Sequence, residues 1–369
     1  MKIFEDASLR EPARITCSAV LKLQPGERVL IITNPEEEVM AISQALYAAV
    51  EEVGAVPVLM VQPVKTQVDF ADPAVLQAIG SAPEVLLSIS AEKVGKDPKG
   101  LKEPYRLGDK EFDHIFDYHL NGTKSMRGIW SPGITRDMFR RTVGIDYSRL
   151  KRECGLLREL FDRADGMRIS CAAGTDLYIG LRGRTGDPDD GDFSLPGSGG
   201  NLPAGETFAS PELRSSVGRI AYRGSISLSK GDILIEEPIM VEVEDGRITR
   251  LSGGTEAELL KETIDLGESR ALAMAEAGEL PEGMGEIYHH NARSLGEIGI
   301  GLNPSARVVG NMLEDEKAYK TCHIAVGANY ADDAPALIHC DGLVLEPTIT
   351  FILPGGEERL IMDAGRLLV

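Results

Sequence analysis

The chain has 369 residues, of which 43% are hydrophobic and 26% charged, and it carries a formal net charge of −19 at pH 7. That length is generous for one core and points to two domains. The acidic balance disfavours partners with phosphate backbones or anionic lipid surfaces, so neither nucleic acid nor membrane is expected as a partner.

No apolar run nears the ~20 residues of a membrane helix. The opening segment, MKIFEDASLREPAR, lacks the apolar core of a signal peptide. The five cysteines (Cys17, Cys154, Cys171, Cys322 and Cys340) are scattered and form no C-x-x-C pair, which argues against a disulfide framework or a zinc ribbon. A cytoplasmic protein is expected.

The N-terminal part alternates strands and helices. Arg28 to Asn34 reads as a short buried strand after the turn at Pro25-Gly26. Val39, Ile42, Leu46, Ala49, Val50 and Val53 then recur at helical spacing, with Glu36, Glu37 and Glu38 at the dipole-favoured start and Gly54 at the end. Val56 to Val61 is the next strand, Pro73 to Ile79 a helix, Glu84 to Ser90 a third strand and Arg127 to Trp130 a fourth. This β-α-β order predicts an open parallel α/β sheet over residues 1–145. A nucleotide role is disfavoured, because the first strand runs into TNPEEEV, which has three acids and no phosphate-cradling glycines.

Asp146 to Asp165 reads as a connecting helix with Leu150, Leu157, Leu160 and Phe161 on one face. Beyond it, segments are short, alternating and glycine-punctuated, with a hairpin signal at Glu244 to Gly246 and one long helix over Glu256 to Ala277. Residues 146–369 are therefore expected to form an α+β, mostly antiparallel domain. The acidic stretch Gly186 to Asp192 does not match calcium-loop spacing and reads as a surface loop, and Gly197 to Asn201 as a flexible turn that could admit a ligand.

Polar groups concentrate in four segments of the second part: NLPAGETF with Glu206, NARSLGEIGIGLNP with Glu297, LEDEKAYKTCHIAVGANY with Glu316, His323 and Tyr330, and ALIHCDGLV with His339 and Asp341. His339 and Asp341 stand two apart in a strand-like run, so both leave one face while Cys340 points the other way. Imidazole and carboxylate together suit zinc, manganese, cobalt or iron. On spacing alone an ordinary hydrogen-bonded His-Asp pair is the commoner reading. Equally, Glu316 in EDEK reads as part of a solvated face, and His289 and His290 as surface or supporting residues.

Taken in order from about Trp130 to Gly342, these segments resemble the aminopeptidase T / aminopeptidase S group, peptidase family M29. WSPGITRDMFRRTVGIDY and GTDLYIGLRGR match that group's connecting segments. The resemblance implies a metallo-aminopeptidase in which divalent ions, two of zinc, cobalt or manganese, activate a water against the first peptide bond of a peptide. It places Glu206, Glu297, His323, His339 and Asp341 as metal ligands, with Glu297 bridging. Tyr330 faces the site, and Glu316 is a weaker match to a further glutamate that would move protons. A homodimer or higher homo-oligomer is implied as well.

One departure is Gly205, where the peptidases carry a second acid. A branch of the same superfamily resembling 2,5-dihydroxypyridine 5,6-dioxygenase, with one iron held by two histidines and an aspartate, is the alternative. A non-catalytic metal-binding relative is the third possibility.

Overall fold

The computed structural model describes residues 6–66 and 69–368; the first five residues of the segment read as lacking a signal peptide lie outside them. The chain divides into two compact units, residues 1–151 with 189–204, and residues 152–188 with 205–369. The break thus falls inside the connecting helix rather than at 145/146, and a short later segment returns to the first unit.

The first unit is built on a parallel sheet. Strands β1 (Arg28–Thr33), β2 (Val56–Val61), β3 (Val85–Ile89) and β4 (Arg127–Trp130) lie in the spatial order β4-β3-β1-β2. Strand β1 is central and buried along five of its six residues, which explains its unbroken apolar run. Helix α1 (Glu37–Val53) buries Val39, Ile42, Leu46, Ala49 and Val50, the stripe expected from its spacing.

The two glycine- and acid-rich segments differ from expectation. Gly199–Gly200 pairs in parallel with β4 as the outermost strand, so this stretch is sheet rather than a flexible turn. Within the acidic stretch Gly186, Asp189 and Gly191 are buried. Asp192 accepts from both Lys22 and Lys151, so the segment is not a plain surface loop. Carboxylates with cationic partners lose the reason to stay in water, and composition alone does not reveal those partners.

The second unit holds two antiparallel sheets. Helix α2 (Tyr147–Arg163) leads into it and buries Leu150, Leu157, Leu160 and Phe161, with the Phe161 ring edge-on to Phe351 at 5.1 Å. An eight-stranded sheet runs from Arg247–Ser252 through Ile239–Glu244, Val217–Tyr222, Asp176–Gly180, Gly166–Ser170, Thr348–Ile352 and Glu358–Asp363 to Arg366–Leu367. The predicted hairpin turn joins two of its strands at Asp245 and Gly246.

A seven-stranded sheet contains four adjacent strands that matter below: β5 (Glu206–Ala209), β6 (Leu295–Gly301), β7 (Thr321–Gly327) and β8 (His339–Leu345), in the order β8-β7-β6-β5. One face of these strands is apolar, with Ile298, Ile300, Cys322, Ile324, Val326, Cys340 and Val344 all buried. Tyr222 closes over it, its hydroxyl donating to the Ile324 carbonyl at 3.0 Å. Helix α3 (Thr255–Glu276) belongs to the same unit. All five cysteines are free thiols. Among the described residues no helix is long and apolar enough to cross a membrane.

Candidate metal centre

The face opposite that apolar layer is polar, and strand register explains why. Asp341 on β8 pairs with Ala325 on β7, and Ala325 with Glu297 on β6. His323 stands two residues before Ala325, and His339 two before Asp341, so all four functional side chains leave the same face. Glu206 on β5 pairs with Gly301, in register with that face.

Two local irregularities complete the arrangement. A bulge between Leu295 and Glu297 shifts β6 by one residue and turns Glu297 to the polar side. Gly299 lies directly opposite His323, and a Cβ there would come within 2.2 Å of the imidazole. Only glycine lets the ring lie across the neighbouring strand.

The resulting geometry is compact. Glu297 offers one oxygen to each histidine: Oε1 lies 3.0 Å from His323 Nε2, and Oε2 3.4 Å from His339 Nε2. Each histidine has a carboxylate of its own besides, with His323 Nε2 3.4 Å from Glu206 Oε2 and His339 Nε2 3.2 Å from Asp341 Oδ1. Two three-donor groups therefore share Glu297: Glu206–Glu297–His323 and Glu297–His339–Asp341. The first is wholly buried, while the His339 side chain keeps 24% of its exposure. His339 Nδ1 lies 2.8 Å from the Ala328 carbonyl; donation there aims Nε2 at the carboxylates, the kind of outer support that ligand histidines use.

The electrostatics are those of a site short of positive charge. Burial pushes Glu206 up to about 8, against the pull of Lys317. Burial alone would lower His323, but the Glu297 hydrogen bond and the Glu206 charge raise it to about 10. His339 is raised in the same way by Asp341 and Glu297. Asp341, though buried, is held down at about 2 by His339. Burial likewise opposes ionisation of Glu297, but hydrogen bonds from His323 and His339 keep it below its ordinary value.

Three buried atoms lack a well-formed hydrogen bond among the described residues: Glu206 Oε2 and Asp341 Oδ1, which have only the ion-pair contacts to histidine given above, and His323 Nδ1. Buried polar atoms seldom stay unpaired. Converging carboxylates and imidazoles with such orphans fit a divalent cation, which would replace the protons the histidines otherwise hold.

The remaining candidates fall into place around this core. Tyr330 is 61% exposed, with its ring 5.2 Å from that of His339 and 5.6 Å from that of Phe208. It flanks the shared site at its open side. The EDEK segment is not a solvated face: Glu314, Asp315 and Lys317 are buried, and Asp315 accepts backbone N–H groups from Val309, Gly310 and Asn311. Glu316 joins neither three-donor group but accepts from Lys317 at 2.7 Å, and Lys317 also donates a short bond to Glu206.

Lys317 went unnoticed in the sequence because its neighbours read as surface charge. A lysine whose partner lies 111 residues away leaves no local signal. His289 lies beside the Glu268 carbonyl and His290 is exposed, both on a separate helix and in neither group.

Gly205 has a structural reason. Its φ is +135°, and a Cβ would lie 2.7 Å from Asn303 Cβ and 3.0 Å from the Asn303 backbone nitrogen. An acidic side chain has no room there.

The comparisons with known proteins agree with this architecture. The chain belongs to the family described as NicX, 2,5-dihydroxypyridine 5,6-dioxygenase, whose model matches residues 136–326. That range takes in Glu206, Glu297, Glu316 and His323 and ends before Tyr330, His339 and Asp341. The fold is similar along nearly its whole length to 2,5-dihydroxypyridine dioxygenase from Pseudomonas putida KT2440, with TM-score 0.70 and 17% identity over 98% of this chain and 97% of that chain. It is also similar to wild-type AmpT from Thermus thermophilus, with TM-score 0.66 and 17% identity over 98% and 99%.

No curated protein matches the sequence. The superfamily expected from the sequence is thus the right one, and the family match falls on the dioxygenase branch rather than on M29.

Proposed function

We propose that the chain is a metal-dependent hydrolase of the aminopeptidase kind, acting on the first peptide bond of short peptides. The observation that carries this reading is the Glu297 carboxylate, split between two histidines that each have a further carboxylate. An iron centre for ring opening takes two histidines and one carboxylate around a single ion. Here the histidines fall in different three-donor groups, and carboxylates outnumber them three to two.

A bound divalent metal would lower the pKa of a water toward neutrality and polarise a carbonyl. The protein's own groups do the rest. Glu297, fixed by both histidines, orients the donors. His339, at the accessible edge with Asp341 buried behind it, meets the substrate, whose ammonium end suits the surplus of carboxylate charge. Glu316, with 16% of its side chain exposed and bonded to Lys317, is the group placed to carry a proton toward the leaving amine. Tyr330 offers a hydroxyl beside His339 to a developing oxyanion.

The family match supports a second reading, iron-dependent opening of a hydroxylated pyridine ring. One experiment separates them. Purified protein loaded with zinc, manganese, cobalt or ferrous iron is offered a panel of short peptides and, separately, 2,5-dihydroxypyridine with an oxygen electrode. Amino-acid release that chelator abolishes supports the hydrolase. Oxygen uptake with ring opening, and no release from any peptide, overturns it in favour of the dioxygenase.

A further inference from the structure

We propose that the Lys317 ammonium takes the place of a second cation, so that the centre holds a single divalent ion at Glu297, His339 and Asp341. The inference rests on the metal-dependent reading above and deepens it, because resemblance to the peptidases implies a pair of ions.

The argument begins with where the lysine lies. Its side chain is 1% exposed, so the ammonium cannot swing into water. It donates to Glu206 Oε1 and, at 2.7 Å, to Glu316 Oε1. Glu206 is the one carboxylate the inner group does not share with the outer, and a fixed cation of the protein's own already lies against it. A dication entering between Glu206 Oε2 and His323 Nε2 would meet that ammonium across one carboxylate, inside a low-dielectric interior where like charges repel strongly.

Displacing the lysine offers no relief, since an unpaired buried ammonium is itself costly. The backbone there is tied down as well: Asn303 N–H donates to the Lys317 carbonyl at 2.9 Å, and Lys317 N–H to the Glu314 carbonyl at 3.0 Å.

The outer group differs on each point. Glu297 Oε2, His339 Nε2 and Asp341 Oδ1 converge within reach of one ion, and the buried Asp341 Oδ1 has only the 3.2 Å ion-pair contact to His339 Nε2 among the described residues. His339 is partly exposed, so an ion can enter and keep positions open for water and substrate. Three protein donors with open positions are the usual pattern of a catalytic rather than a structural ion.

Metal content of the full chain tests this. The protein is stripped with chelator, equilibrated with excess zinc or manganese, desalted and analysed for bound metal. One ion per chain is expected for the wild type, and two for Lys317→Met, which frees Glu206 and the inner group. Two ions in the wild type overturn the proposal, as does a folded Lys317→Met that still binds one. No ion in the wild type overturns instead the metal-dependent reading on which the proposal rests.

Two further variants locate the ion independently of how well Lys317→Met folds. Glu206→Gln should keep its single ion and Asp341→Asn should lose it; the reverse pattern places the ion in the inner group and sinks the proposal.

Discussion

The two halves of the centre are made of the same residue types on the same sheet face, yet they are set up for different work. The inner half, Glu206 and His323 with Lys317, is sealed; the outer half, which also holds the buried Asp341, opens to solvent through His339 and Tyr330. In the inner half, charge is balanced from within by a lysine. In the outer half no lysine touches the carboxylates among the described residues, and protons on imidazole or a metal supply most of the balance. The difference teaches that ligand chemistry alone does not define a metal position: what already neutralises each carboxylate decides whether an ion can enter.

The largest effect should come from the residue the halves share. Glu297→Ala removes a donor from both groups, so zinc affinity should fall by more than the roughly 10–100-fold that loss of an outer-sphere partner costs. Turnover should fall with it, as read by metal titration and activity on the same preparation.

A sharper comparison follows from stability. Glu206→Ala deprives Lys317 of a buried carboxylate partner and should destabilise the metal-free protein by about 3 kcal/mol, near the low end for a broken buried pair because Glu316 remains. Asp341→Ala also removes a buried carboxylate, but its partner His339 is partly exposed and can shed its proton, so the cost should be smaller, about 2 kcal/mol. Denaturant midpoints of the two variants measure the gap, and equal costs would erase the distinction between the halves.

The smallest effect expected is on pH dependence. Glu206 and His323 both hold protons more tightly in the fold than unfolded, so their contribution is complete below the unfolded values of about 4.5 and 6.5. It is lost as pH rises through about 8 and about 10. Asp341 acts oppositely, and its contribution disappears only as pH falls toward about 2. Metal-free protein should therefore melt lower at pH 9 than at pH 6. Metal-loaded protein should show a weaker or reversed trend, because the ion replaces protons and binds more tightly as pH rises. Thermal melts with and without chelator check both signs.

Much of this was legible in the sequence, and the limits have physical causes. His339 and Asp341 declared themselves because a strand repeats every two residues. The parallel sheet was readable from β1, whose buried run has no polar interruption. Glu297 stood out in its polar segment but was assigned as a ligand only through resemblance, since the bulge that turns it to the polar face depends on the partner strand. Lys317, Asp189 and Asp192 were missed or misread for a common reason. A charged residue's burial depends on partners far along the chain, here 111 residues away for Lys317 and 170 for the Lys22–Asp192 pair.

The contact between Gly205 and Asn303 sets a boundary on redesign. Adding the acid that ligand-richer peptidases carry at that point would drive a side chain into a backbone nitrogen anchored to Lys317's own carbonyl, and would force the chain through a conformation L-residues resist. A one-step conversion of this centre toward theirs is sterically barred; the segment around Asn303 would have to be rebuilt first, and with it the platform on which the lysine stands.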